Sequence, residues 1–454
     1  MTIKTSSASY QNAHMYQILG DLSVNIRVQE NPYNLPLETL FAMAARQNKK
    51  RGFLFVSRLL GKHMPVHPAL PLLSSRLLAH RLMQQISGRD PKHTDVLAEA
   101  IQAKAQPGAV YQLVQEEVLS LNEPAFFIGF AETATALAHG LYDCFDNVEY
   151  IHTTREQLLD LEPVISFEEE HSHAVSHRCY ARDAAMFQTD CPIVLIDDEM
   201  TTGKTTVNII KSIQQTYPRK VYYVASLLDW RSEQDQALFD ELMDTYDITI
   251  KSVSLLKGTI EVKGEPKAGE SLEHYKTSND IRITHHTVKT PFESLPYTSI
   301  NEAGQKNTAG YLPLTGRFGL ARADRIDILN AAEEIGEQLQ PLRSGSKTLC
   351  LGTGEFMHFP MSVAVHMGDG ISYQSTTRSP IHAEDREDYA VKQKLCFDGP
   401  TDPSVMNYVY NIPAGHYDEI FLFMERKEQP ENLDSLLQAL SGTGIKELQV
   451  ITFA

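Results

Sequence analysis

The chain has 454 residues, room for roughly two or three domains with cores of their own. Its formal net charge of −17, from 41 Lys plus Arg against 58 Asp plus Glu, argues against nucleic acid or an anionic membrane as partner and leaves small molecules. Five scattered cysteines (Cys144, Cys179, Cys191, Cys350, Cys396) with no Cys-x-x-Cys pair suggest neither a disulfide framework nor a cysteine zinc site. With no signal-like amino terminus and no run of 18 apolar residues, a cytoplasmic protein is expected.

Residues 1–20 are polar and expected to be a flexible amino terminus. Apolar and polar residues alternate over 22–28, which predicts a half-exposed strand, and 37–46 reads as a helix. Basic and aromatic residues cluster over 48–63 (NKKRGFLFVSRLLGKH), a pattern that a solvated face also produces. Amphipathic helices are predicted at 70–86 and 96–105.

The apolar run AFFIGF at 125–130 predicts a buried strand, and it passes directly into the small residues of Ala131-Glu132-Thr133-Ala134-Thr135-Ala136. A strand-to-helix turn of small residues lets backbone N–H groups face an anion, although a packed turn without a ligand looks the same. A further strand at 148–152 ends in Thr153-Thr154-Arg155. The long loop 167–177 (FEEEHSHAVSH) places histidines at 171, 173 and 177, a spacing that can hold zinc together with a glutamate, as in a zinc hydrolase.

Residues 193–206, IVLIDDEMTTGKTT, carry the strongest pattern. Four apolar residues form a strand, Asp197 and Asp198 follow, and Thr201-Thr202-Gly203-Lys204-Thr205 opens a helix with apolar positions at Val207, Ile209, Ile210 and Ile213. Unpaired N–H groups at a helix start, with threonine hydroxyls and a glycine for close approach, suit a phosphate. A carboxylate pair one sugar's width away can accept hydrogen bonds from vicinal hydroxyls. A ribose 5-phosphate satisfies both ends. A nucleotide-hydrolase phosphate loop would need glycine at position 198, where Asp198 stands.

This stretch resembles the phosphoribosyl pyrophosphate (PRPP) signature of type I phosphoribosyltransferases, in particular enzymes of the orotate type. The resemblance implies a parallel α/β fold with an amino-terminal hood. It assigns Asp197 and Asp198 to the ribose hydroxyls and to Mg²⁺ shared with PRPP, and Thr201, Thr202, Gly203, Lys204 and Thr205 to the 5-phosphate. By the same resemblance, Gly129, Phe130, Ala131, Glu132, Thr133, Arg155 and Lys62 bind pyrophosphate, and Arg58, His63 and Trp230 are hood or acceptor candidates. The loop at 167–177 matches the family's lid, with Glu170, His171 and His173 as catalytic candidates.

Beyond the signature, 220–228 predicts a strand ending in Asp229-Trp230-Arg231; Trp230 is the sole tryptophan, and a core role for it is as ordinary as stacking on a base. Segments 248–256 and 259–262 read as a hairpin or edge strands. A linker is expected at 291–310, between a phosphoribosyltransferase domain (21–290) and a smaller α/β domain (311–454).

The second half repeats landmarks of the first. Gly352-Thr353-Gly354-Glu355 follows a strand at 348–351, and Tyr373 precedes Thr376-Thr377-Arg378 as Tyr150 precedes Thr153-Thr154-Arg155. The spacings agree, 155 − 132 = 23 and 378 − 355 = 23, which implies a diverged duplication. The strand at 419–424 lacks the acidic pair and Thr-Thr-Gly, so a second phosphoribosyl site is not expected; Gly352, Thr353, Gly354 and Arg378 are candidates for an anion. Thr377-Arg378-Ser379-Pro380 also resembles the motif of the TRSP domain found after phosphoribosyltransferases of tellurium-resistance clusters. The function so implied is Mg²⁺-dependent transfer of phosphoribose between PRPP and a small nitrogenous acceptor. The competing reading is a regulatory protein that binds PRPP or a nucleotide without turnover. A homodimer is compatible with the pattern and not specified by it.

Overall fold

The computed structural model describes residues 13–48, 51–168, 176–267 and 281–454. Its larger sheet has seven strands in the order Ala13–Leu19, Leu22–Glu30, Thr249–Lys263, Val221–Asp229, Ile193–Met200, Ala125–Gly129 and Val148–His152. The last five run parallel, and the first two form an antiparallel extension. In Ile193–Met200, side-chain alternation divides the core. Val194 and Ile196 join the cluster under helices Ala69–Ser87 and Ala134–Tyr142, whereas Ile193 and Leu195 join Ile209, Ile210 and Phe239 from the helices on the other face.

A second sheet is wholly parallel, in the order Arg282–Val288, Glu447–Phe453, Glu419–Phe423, Thr348–Gly352, Ile371–Ser375. Thr348–Gly352 lies between Ile371–Ser375 and Glu419–Phe423, just as Ala125–Gly129 lies between Val148–His152 and Ile193–Met200. The repeated spacing in sequence thus has a repeated topology behind it. Among the described residues, no helix is long and apolar enough to cross a membrane.

Several expectations are corrected. Residues 13–19, expected to be flexible, form an edge strand, with Ala13 opposite Arg27. The helix at 37–46 stops at Leu40. Phe41–Ala45 is a buried strand paired with Phe53–Ser57, because cross-strand packing outweighs the helix preference of an Ala- and Met-containing run. Residues 249–263 form one long interior strand, parallel to its neighbour through Lys257 and antiparallel to Leu22–Glu30 beyond it. Arg282–Val288 pairs with Glu447–Phe453, so the second sheet begins before residue 290. The expected linker is structured: Ser299–Ile300 pairs with Gln157–Leu158 and with Lys306–Asn307.

Candidate active site

The site forms at the carboxyl ends of three adjacent parallel strands. Ile193–Met200 delivers Asp197 and Asp198, half-buried and adjacent, with the Asp198 N–H donating to Asp197 Oδ1 at 2.9 Å. Burial raises both carboxyls above the usual range, and the neighbouring Asp198 raises Asp197 further. Hydroxyl donors or a divalent cation are what such a pair lacks, so the donor set fits Mg²⁺. Gly203 begins the helix Lys204–Thr216 at φ +70°. A Cβ there would stand 2.6 Å from the Phe239 ring, so glycine is required both for the turn and for the packing.

The neighbouring strand, Ala125–Gly129, enters the second loop. Close packing again selects glycine, since a Cβ on Gly129 would meet that of Ala138 at 2.6 Å. The Ala131 N–H donates to Thr153 Oγ1 at 2.8 Å, tying this loop to the end of Val148–His152. Phe130 points into the core beside Phe167, and its N–H donates to the Ile196 carbonyl at 3.1 Å, so it serves the packing of this loop. Thr133 stands at the start of Ala134–Tyr142. Glu132 pairs with the buried Lys62, and Arg155 lies 3.7 Å from its other oxygen. Burial opposes ionisation of Glu132, but Lys62, Arg155 and Arg378 together hold its carboxyl below the usual range. Burial likewise lowers Lys62, and Glu132 opposes that shift. The two groups form a salt bridge in the structure.

The hood is the hairpin Phe41–Ala45/Phe53–Ser57 with the segment after it. Leu40, Phe55, Ser57 and Leu59 face Asp198 and Glu199 across a cavity of only about 10 Å³. Arg51, which the sequence reading passed over, pairs with Glu199 and donates to Thr201 Oγ1 at 3.4 Å. It belongs to the same basic cluster as Arg58, Lys62 and His63. Arg58 acts electrostatically on Tyr16 and Lys104. His63 is buried against the second domain, where Tyr410 packs near it and Asn411 Nδ2 donates to its carbonyl at 3.0 Å. Burial pushes this imidazole down to about 3, so it is neutral. Trp230 is 2% exposed and stacks on Phe55 at 4.8 Å between ring centroids, a core ring and not a surface for a base.

Glu170, His171 and His173 lie outside the described residues. His177, the third histidine of the zinc spacing, is buried, stacked on Phe167 and bonded to Thr153 Oγ1 at 3.0 Å.

The second domain meets this site face to face, which the sequence reading missed. Glu355 accepts from Thr154 Oγ1 at 2.7 Å, from the Arg155 N–H at 3.1 Å and from Arg317. Despite burial, Arg317, His152 and these donors hold its carboxyl down at about 2. Arg317 also binds Glu425 at 2.8 Å and lies 3.3 Å from Glu156. Between the domains runs a cleft of about 540 Å³, lined by Arg155, Arg178, Arg378 and Glu428 among others. A smaller cavity adjoins it and reaches Glu132, Gly354 and Glu355.

A mainly parallel sheet flanked by helices, with an acidic pair and a phosphate-type turn at its strand ends, is the architecture of the phosphoribosyltransferase class. Residues 40–259 match the family described as phosphoribosyl transferase, and residues 314–440 match the TRSP domain that lies carboxyl-terminal to it. The chain belongs to this family of phosphoribosyltransferases with a carboxyl-terminal TRSP domain, enzymes of the glycosyltransferase type. No curated protein matches it.

Among solved structures, the chain is similar to the adenine phosphoribosyl transferase of Trypanosoma brucei in complex with AMP, pyrophosphate and ribose-5-phosphate, with 10% identity, 51% of this chain and 82% of that one covered, and a TM-score of 0.30. It is also similar to adenine phosphoribosyltransferases of Leishmania donovani (16% identity, 39% and 79% covered, TM-score 0.21) and Saccharomyces cerevisiae (12% identity, 33% and 73% covered, TM-score 0.17).

Proposed function

We propose that this enzyme transfers 5-phosphoribose between PRPP and a nitrogenous base or base-like acceptor, with release of pyrophosphate. The observation that carries the reading is the placement of Asp197 and Asp198 beside the Gly203 turn, one strand away from the Lys62–Glu132–Arg155 group. Asp197 and Asp198 hold the two ribose hydroxyls, and Thr201 to Thr205 with the helix start hold the 5-phosphate. Lys62 and Arg155, with the backbone N–H groups of Glu132 and Thr133, face the diphosphate, while the Phe130 and Ala131 N–H groups tie the loop to Ile196 and Thr153.

In the forward direction the C1–O bond to pyrophosphate breaks, its electron pair leaves with the pyrophosphate, and the acceptor nitrogen's lone pair forms the new C1–N bond. Positive charge grows on the sugar between these events, and the carboxylate pair below it favours that charge. Asp197 and Asp198 would hold Mg²⁺, which would supply charge neutralisation to the diphosphate. An acceptor entering beneath the hood requires the hairpin to shift, because the cavity that Leu40, Phe55 and Leu59 wall there has only about 10 Å³. Burial raises the Glu199 carboxyl there despite Arg51, and the pair places polar groups at the edge of that cavity.

Calorimetric titration of PRPP with Mg²⁺ into wild type and an Asp197→Asn/Asp198→Asn variant tests this. Two hydrogen bonds to charged groups, worth about 1.5–3 kcal/mol each, correspond to a loss of roughly 10²- to 10⁴-fold in affinity. Wild-type affinity in the double variant would sink the assignment. Pyrophosphate release with a panel of bases separates turnover from mere sensing.

A further inference from the structure

The two loops that face each other across the domain interface are built alike, at a constant offset of 223 residues (352 − 129 and 378 − 155). The Ala131 N–H bonds Thr153 Oγ1 at 2.8 Å, and the Gly354 N–H bonds Thr376 Oγ1 at 2.9 Å. The Glu156 N–H bonds Thr154 Oγ1 at 3.1 Å, and the Ser379 N–H bonds Thr377 Oγ1 at the same distance. Arg155 and Arg378 therefore occupy equivalent places in the two loops.

Cross-links hold the loops in register. Lys62 Nζ reaches both Glu132 and, at 3.0 Å, the Gly354 carbonyl. Thr135 Oγ1 donates to the Glu355 carbonyl at 3.2 Å.

Charge at this interface is largely settled internally. Glu355, Glu425 and Glu156 share Arg317, Arg426 lies 3.5 Å from Glu156, and Glu132 has Lys62 and Arg155. Arg378 differs: it is half-buried, lines both adjoining cavities with Arg155, and makes no hydrogen bond or ion pair with the described residues. Glu132, on which Arg378 acts electrostatically, is already paired with Lys62 and Arg155. A guanidinium held by a backbone loop beside a second arginine, at the edge of a roomy cleft, matches a phosphate bidentately.

We propose that the second domain completes the diphosphate site in cis, with Arg378 binding the pyrophosphate end of PRPP together with Arg155. This rests on the phosphoribosyl-transfer reading. The second loop has lost the acidic pair and phosphate turn of a sugar site of its own, and its arginine serves the first domain's substrate instead. A cation fixed there also stabilises the charge that develops on the departing pyrophosphate.

Calorimetry with Mg²⁺ on the full chain tests this with three probes: PRPP, pyrophosphate and ribose 5-phosphate. Arg378→Ala should bind PRPP and pyrophosphate about 10- to 100-fold more weakly, as loss of one charge-assisted contact implies, while ribose 5-phosphate binds as to wild type. Arg378→Lys should recover part of the loss, and both variants should unfold at the wild-type temperature. Unchanged PRPP and pyrophosphate affinity in Arg378→Ala, or an equal loss for ribose 5-phosphate, overturns the proposal. Pyrophosphate binding that depends on Arg378 in a protein that does not bind PRPP would keep the anion site and overturn the phosphoribosyl reading. Binding of none of the probes by wild type overturns both.

Discussion

Replacing Arg317 by methionine removes the group on which the domain interface depends electrostatically. Its side chain is 2% exposed and meets three carboxylates: Glu355, Glu425 at 2.8 Å and Glu156 at 3.3 Å. Methionine preserves much of the stem's volume, so the loss is one of charge. Removing one partner of a buried ion pair costs about 3–5 kcal/mol, because the other charge is left uncompensated. For domains of this size that corresponds to roughly 6–20 °C in unfolding temperature.

Thermal and urea unfolding at neutral pH, followed by circular dichroism, would measure it. Fluorescence of Trp230 reports separately on the first domain. Acidification supplies a sign test. Glu355 is depressed from its ordinary 4.5 to about 2, so its contribution is present above pH 4.5 and lost as the pH falls toward 2. The gap between wild type and Arg317→Met should therefore narrow over that window. An Arg317→Met protein within about 1 kcal/mol of wild type, or a gap that widens on acidification, would refute the reasoning.

Gly203→Ala should destabilise the protein by about 1–3 kcal/mol, since it combines a positive φ with a 2.6 Å approach to Phe239, and should weaken ribose 5-phosphate binding by displacing the helix start. Calorimetry of that ligand would settle it, with wild-type affinity counting against the phosphate turn. Burial raises Glu428 from 4.5 to about 8, so the folded state holds a proton that the unfolded state has lost, and stability should fall as pH rises across that interval. Glu428→Gln should abolish this slope and unfold at a higher temperature than wild type above pH 8. Parallel slopes for the two proteins would show that Glu428 ionises normally.

Where the chemistry depends on contiguous residues, it was legible. Strand, acidic pair, threonines, glycine and helix succeed one another within residues 193–206, and backbone geometry alone carries them to one strand end. Where it depends on which face a side chain takes, it was not. Arg51, Arg58, Lys62 and His63 belong to one basic cluster, yet Arg51 pairs with Glu199, Lys62 with Glu132, Arg58 acts on Tyr16 and His63 is neutral at the interface. Trp230 could have stacked on a base or filled the core, and contact with Phe41 and Phe55, some 175 or more residues earlier in the chain, decided it.

The sequence by itself determined the family, the Thr-Thr-Gly turn, the carboxylate pair and the repeat, because each rests on local spacing that a strand or turn converts directly into position. Only the tertiary structure decided that the second sheet faces the first across the loop from Gly129 to Thr133. The network of Arg317 with Glu355 and Glu425 joins positions 38 and 108 residues apart. No local pattern reports a pairing of that kind, since it follows from how two separately folded sheets dock.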